Sequence, residues 1–190
     1  MLRDLKIDQG AYVLYKLINS LFLGISVGSI FTIYEPLEPS VFSIGGIILA
    51  LGMLIIANQY HKILNATYFY RISILVELVA LAMVIVFLIF SYSYQTALWV
   101  YIGYQLTFIF GSYLVRAETL VLKENNILTR VDTAKQIGYL VGMALSYGFY
   151  KLIEFSWQIN DPKEQVYILH YILLLVQILV ITFLVKAFRK

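Results

Sequence analysis

Cysteine is absent from the 190-residue chain, which removes disulfides, thiolate metal sites and thiol nucleophiles. Charge is scarce: 13% of the residues are Asp, Glu, Lys or Arg, against 61% that are hydrophobic. A soluble domain of this size cannot hide that much apolar side chain, because its surface is large for its volume and must be polar. Lipid is the solvent that tolerates such a surface. The net charge is only +3 and the basic residues sit at segment ends, so no nucleic-acid partner is expected. Histidine is nearly missing, and His61 and His170 fall toward opposite sides of the bilayer in the topology below. They cannot ligate one haem from its two faces. No metal-spaced cluster of His, Asp and Glu, no phosphate-cradling glycine loop and no Ser-His-Asp set at one depth is present. Neither a cofactor, a metal nor an enzymatic activity is expected.

Long apolar runs fill the rest. A span needs roughly 20 mostly apolar residues to cross a hydrocarbon core of about 30 Å. Six stretches meet this, at about residues 12–34, 41–57, 69–90, 97–122, 134–155 and 166–185. Each is predicted as a helix in one membrane domain, since isolated strands leave backbone groups unpaired in lipid. Glu35-Pro36-Leu37-Glu38-Pro39 divides the first two, because two prolines and two carboxylates make a turn. The first ten residues are polar and the first span is long enough to cross, so no cleavable leader is expected.

Lys and Arg set the orientation. With the amino terminus inside, 12 of the 14 basic residues fall on the inner side: Arg3, Lys6, Lys16, Lys62, Arg71, Arg116, Lys123, Arg130, Lys135, Lys186, Arg189 and Lys190. Only Lys151 and Lys163 lie outside, near an aromatic belt of Tyr92, Tyr94, Trp99, Tyr101, Phe155 and Trp157. Both termini are therefore expected in the cytoplasm. Abundant Ile, Tyr, Phe and Lys suggest an AT-rich bacterial genome and hence the bacterial inner membrane.

Ten of the 11 glycines lie in spans one, two, four and five, and none in spans three and six. Small residues let membrane helices approach closely, while bulky aliphatics suit lipid-facing surfaces. Ser20, Gly24, Gly28 and Thr32 form one stripe at intervals of four, and Gly138, Gly142 and Ser146 another. Two packed helices followed by a peripheral one, repeated, predict a three-plus-three organisation. An odd repeat makes the second triplet inverted relative to the first.

Ile33-Tyr34-Glu35-Pro36-Leu37, followed by Ser43-Ile44-Gly45-Gly46-Ile47-Ile48, resembles the first loop and second helix of major facilitator superfamily transporters. Thr129-Arg130-Val131-Asp132-Thr133-Ala134, leading into Gly138-Tyr139-Leu140-Val141-Gly142, resembles the family's fourth loop and fifth helix. The resemblance covers one six-helix half of the usual twelve. Between helices two and three the chain has Asn58-Gln59-Tyr60-His61-Lys62-Ile63-Leu64-Asn65, a departure from the family's glycine, acid and base signature. The resemblance implies an all-α fold and a secondary transporter of a small solute. A half-size unit needs a second bundle for alternating access, so a parallel homodimer or a partner membrane protein is expected. The other reading is a non-transporting membrane subunit or scaffold.

Glu77 is the one carboxylate well inside a span, roughly 12 Å deep at 1.5 Å per residue. An ionised carboxylate there is costly, so the group is expected to be protonated or paired and to face protein. It is either a proton or ion coupling site or a structural acid bonded to a neighbouring helix. The resemblance places Asn19 and Ser20 of helix one, and Tyr104 and Gln105 of helix four, on a central cavity as substrate-binding residues; ordinary interhelical hydrogen bonding is the other reading. It also makes Arg116, Glu118, Arg130 and Asp132 a cytoplasmic cluster of gating charges; interfacial anchoring is the other reading. Gln177 and Gln136 are read as packing groups.

Overall fold

The structure is a computed structural model describing residues 7–188; Arg3, Lys6, Arg189 and Lys190, used above for orientation, lie outside the described residues. The described residues form helices and no strand. In chain order they are α1 (Gln9–Tyr34), α2 (Pro39–Asn58), α3 (Tyr60–Ile63), α4 (Ala66–Phe90), α5 (Tyr94–Ile109), α6 (Gly111–Leu122), α7 (Asn125–Trp157) and α8 (Pro162–Ala187). Starts are set by local chemistry: Asp8 caps the Ala11 amide, Asn65 that of Tyr68, Ser93 that of Thr96 and Asp161 that of Lys163. Pro39 and Pro162 open their helices where the missing N–H costs nothing.

Five helices are long and apolar enough to cross a membrane: α1, α2, α4, the α5–α6 pair and α8. The expected fifth span, α7, is long enough at 33 residues but is not among them. Its glycines, serine, tyrosines, Gln136 and Lys151 dilute its apolar character. α7 also begins well before residue 134, because Ile127, Val131 and Ala134 recur at helical spacing and are buried; the Thr129–Ala134 stretch is helix, not loop. The expected fourth span is interrupted at Phe110. The Thr107 hydroxyl donates back to the Tyr104 carbonyl at 2.8 Å, and Gly111 follows, a combination that loosens the helical ladder.

The two ends of the bundle are tied separately. At one end the Asp8 amide donates to the Ala187 carbonyl at 2.9 Å, and the Phe188 ring packs on Tyr12, Phe69 and Tyr70. The Tyr113 hydroxyl donates to the Ile63 carbonyl there, joining α6 to the connector after α2. At the other end Lys163 pairs with Glu35 at 3.1 Å, and the Tyr92 hydroxyl donates to the Lys163 carbonyl at 2.7 Å. Burial pushes the Tyr92 hydroxyl up from the ordinary tyrosine range, which keeps it a neutral donor.

The core departs from the glycine-based expectation. α1, α4 and α8 contribute most of the buried side chains, including Tyr12, Phe69, Phe87, Leu173 and Val180. α4 and α8 thus pack centrally although neither has a glycine, because interdigitated Leu, Val and Phe also fill space between helices. α2 is the outlier, with only Gly45 buried. The α1 and α7 stripes do meet. A Cβ at Gly138 would collide with the Leu17 carbonyl, one at Gly142 with that of Leu21, and one at Gly24 with that of Tyr139.

Candidate functional site

α1 carries a polar seam through this core, with a carboxylate at each end of it. Tyr12, Tyr15, Lys16 and Asn19 occur at spacings of three and four, one face of a helix. That face meets α4 and α8 deep in the bundle, and α6 and α7 nearer the end that holds Asp8.

Glu77 of α4 forms the deep centre, with 3% of its surface exposed. Its Oε1 accepts from the Tyr15 hydroxyl at 2.7 Å and from Asn19 Nδ2 at 2.9 Å. Its Oε2 accepts from Gln177 Nε2 at 2.9 Å, which also reaches the Glu77 carbonyl at 2.9 Å. Among the described residues no cation lies within ion-pair distance. Gln177 is itself fully buried, and its Oε1 has no hydrogen-bond partner.

Glu118 of α6 forms the second centre, also 3% exposed. Its Oε1 accepts from the Tyr12 hydroxyl at 2.7 Å and pairs with Lys16 at 3.1 Å. Its Oε2 pairs with Lys135 at 2.6 Å, and Lys135 also reaches Asp132 at 3.1 Å. The Lys16 ammonium lies 5.5 Å from the Tyr12 ring centre and 5.3 Å from that of Tyr15. It therefore sits between the tyrosines that serve the two carboxylates.

Glu77 faces protein, as its sequence setting requires. Asn19, expected to meet a substrate, is bound to Glu77, and Ser20 is buried beside it in the chain. The Tyr104 hydroxyl faces Ser26 of α1. Gln105 instead lines a largely apolar groove of about 550 Å³ between α2 and α5, with Gly45, Ile48 and Tyr101, and its Oε1 is unpartnered. Of the four, Asn19 is engaged by Glu77 and Gln105 lines the α2–α5 groove. The expected charge cluster is also rearranged. Glu118 and Asp132 share Lys135, whereas Arg116 stacks 5.5 Å from the Tyr60 ring and Arg130 is exposed and in no ion pair. Arginines at positions 116 and 130 lie on helix faces turned away from Glu118, so the two lysines take their place.

Tyr12, Tyr15, Lys16, Lys135 and Gln177 were the members that sequence reading missed. The available signal was the polar spacing on α1, where four polar groups share one face of an otherwise apolar helix. His170 takes no part: its Nδ1 is 2.7 Å from the Val166 carbonyl and its ring stacks on Phe87. No group of three His, Asp or Glu suited to a metal occurs among the described residues. Compared with known proteins, the chain matches no family model, no curated protein and no solved structure.

Proposed function

We propose that the chain is a half-size secondary transporter of a small solute, with six crossings, both termini cytoplasmic in a bacterial inner membrane, and a second bundle completing it. One observation carries this reading. α1 packs on α7 and α8, α5 packs on α2 and α4, and α4 packs on α8. Exchanging α1 with α5, α2 with α7 and α4 with α8 maps these pairings onto one another, with α1 packing far more extensively on α7 than α5 does on α2, and α7 packing on α8 without a matching α2–α4 contact of that extent. Such an exchange is what an inverted three-plus-three repeat would produce, and it is the observation in favour of this reading. α2 and α7 then flank the bundle and offer their exposed faces to the second half. The simplest second half is another copy, related by a two-fold axis along the membrane normal.

The test is the mass of the purified protein in detergent, with thermal stabilisation measured across a solute panel. Two copies per particle and a stabilising solute are expected. A second reading, a non-transporting subunit, is favoured by Asn19 being taken up in a bond between helices, to Glu77. A monomer that co-purifies stoichiometrically with a different membrane protein, and that no solute stabilises, would replace the first reading with the second.

A further inference from the structure

Glu77 and Glu118 are both buried acids, yet they are served very differently. Glu118 holds two ammonium groups and a phenol. Glu77 holds only the neutral donors Tyr15, Asn19 and Gln177. A bare carboxylate at this depth is costly without a cation, whereas a carboxylic acid with these partners is not. Its hydroxyl would need an acceptor, and the unpartnered Gln177 Oε1 belongs to the amide already touching Oε2. A half-turn of that amide offers Oε1 in place of Nε2.

Lys16 is the cation placed to serve the ionised form. It follows Tyr15 in the chain, and its ammonium lies against the ring whose hydroxyl is bound to Glu77. Its four-carbon stem is flexible. Glu118 tolerates its departure, because Lys135 at 2.6 Å and the Tyr12 hydroxyl at 2.7 Å remain.

We infer that Glu77 is a reversible proton-binding site whose counter-ion is Lys16, an ammonium that exchanges between Glu118 and Glu77. When a proton occupies Glu77, Lys16 rests on Glu118 and the Gln177 amide is turned so that its Oε1 accepts from the acid. When the proton leaves for the aqueous phase, the carboxylate forms and the same ammonium turns to it. Lys16 stays charged throughout, one proton is exchanged per cycle, and no other bond forms or breaks. The surrounding groups fit this scheme. From α1 the charged or titratable groups facing Glu77 are Tyr12, Tyr15 and Lys16. From α6 comes Glu118, beyond Lys16, with Lys135 of α7 behind it. α8 presents the neutral Gln177, with His170 two turns away, and α5 carries no acid or base other than tyrosines. As the coupling ion of a transporter the proton rests on the function proposed above; binding of the proton does not.

Infrared spectroscopy of the purified full chain reads protonation without transport. Titrated over about pH 4–10, the span of the side chains involved, the wild type is expected to show a carboxylic C=O band that disappears with rising pH and is absent in Glu77→Gln. Lys16→Met is expected to move the pH of its loss by about one unit or more. Lys151→Met, at the other end of α7, is expected to leave it in place. A band unchanged across the range, a band that survives Glu77→Gln, or a midpoint indifferent to Lys16→Met overturns the inference. Loss of the band on replacing choline with sodium at constant pH would assign the site to a metal cation instead. A dimer that fails to transport while the band titrates sinks the transporter reading alone.

Discussion

Glu118 binds α1, α6 and α7 through a single side chain, and the exposure of its partners ranks their contributions. The Glu118 side chain is 5% exposed, Lys16 13%, Lys135 25% and Asp132 71%. Removing the carboxylate leaves two ammonium groups facing each other in a dry site. Glu118→Gln is therefore expected to cost about 3 kcal/mol, read as a lowered thermal midpoint in detergent. Lys135→Met should cost less, since Glu118 keeps Lys16 and Tyr12. Asp132→Asn should stay within about 0.5 kcal/mol, as for an exposed pair. Equal losses from Glu118→Gln and Asp132→Asn would show that burial does not set the ranking. Glu77 was legible in the sequence because a lone acid in an apolar run identifies itself. Its partners were not. Tyr15 and Gln177 are 62 and 100 residues away in sequence, and neither residue type announces what it faces until helices are arranged around it.

At the scale of helices, the α1–α7 crossing is backbone against backbone, and its stability depends on side chains that are missing. A Cβ at Gly142 or Gly138 would fall on α1 carbonyls, whereas one at Gly148 meets nothing within 4 Å. Gly142→Leu is expected to destabilise by about 1–3 kcal/mol, the cost of overpacking a close contact. Gly148→Leu should lie within about 0.5 kcal/mol. Both are measured by detergent unfolding, and similar midpoints would mean that the helices do not approach this closely. These two stripes were readable from their four-residue period. On α2 the same reasoning holds in part: a Cβ at Gly45 would fall on the Tyr101 side chain and one at Gly52 on that of Ile109, whereas Gly46 meets nothing within 4 Å. A glycine stripe signals that something can come close, without saying whether this chain supplies it. The interruption at Phe110 was hidden for a different reason: hydropathy runs straight through Thr107 to Gly111, and only hydrogen bonding reveals the break.

For the whole molecule the decisive question is α7, the helix with the weakest apolar signal and the most consequence for topology. Its first third is placed by Lys135 on Glu118, close to Tyr12 and so to the end that holds Asp8 and Phe188. Its far end leads into Lys163, which pairs with Glu35 at the opposite end of the bundle. If the other helices cross the membrane, α7 must cross with them, its charges kept to its ends where snorkelling and interfacial water serve them. The absence of native cysteine makes the test direct. Single cysteines replacing the exposed Glu38 and Asn160 are expected to react with a membrane-impermeant maleimide from one side of the membrane. Those replacing Gln59 and Lys123 should react only from the other. The proposed orientation puts the first pair outside, so intact cells should label Glu38→Cys and Asn160→Cys alone. Asn160→Cys and Lys123→Cys labelling from the same side would mean that α7 does not cross. The pairing symmetry between α2 and α7 would then lose its meaning, and the inverted repeat would fall with it.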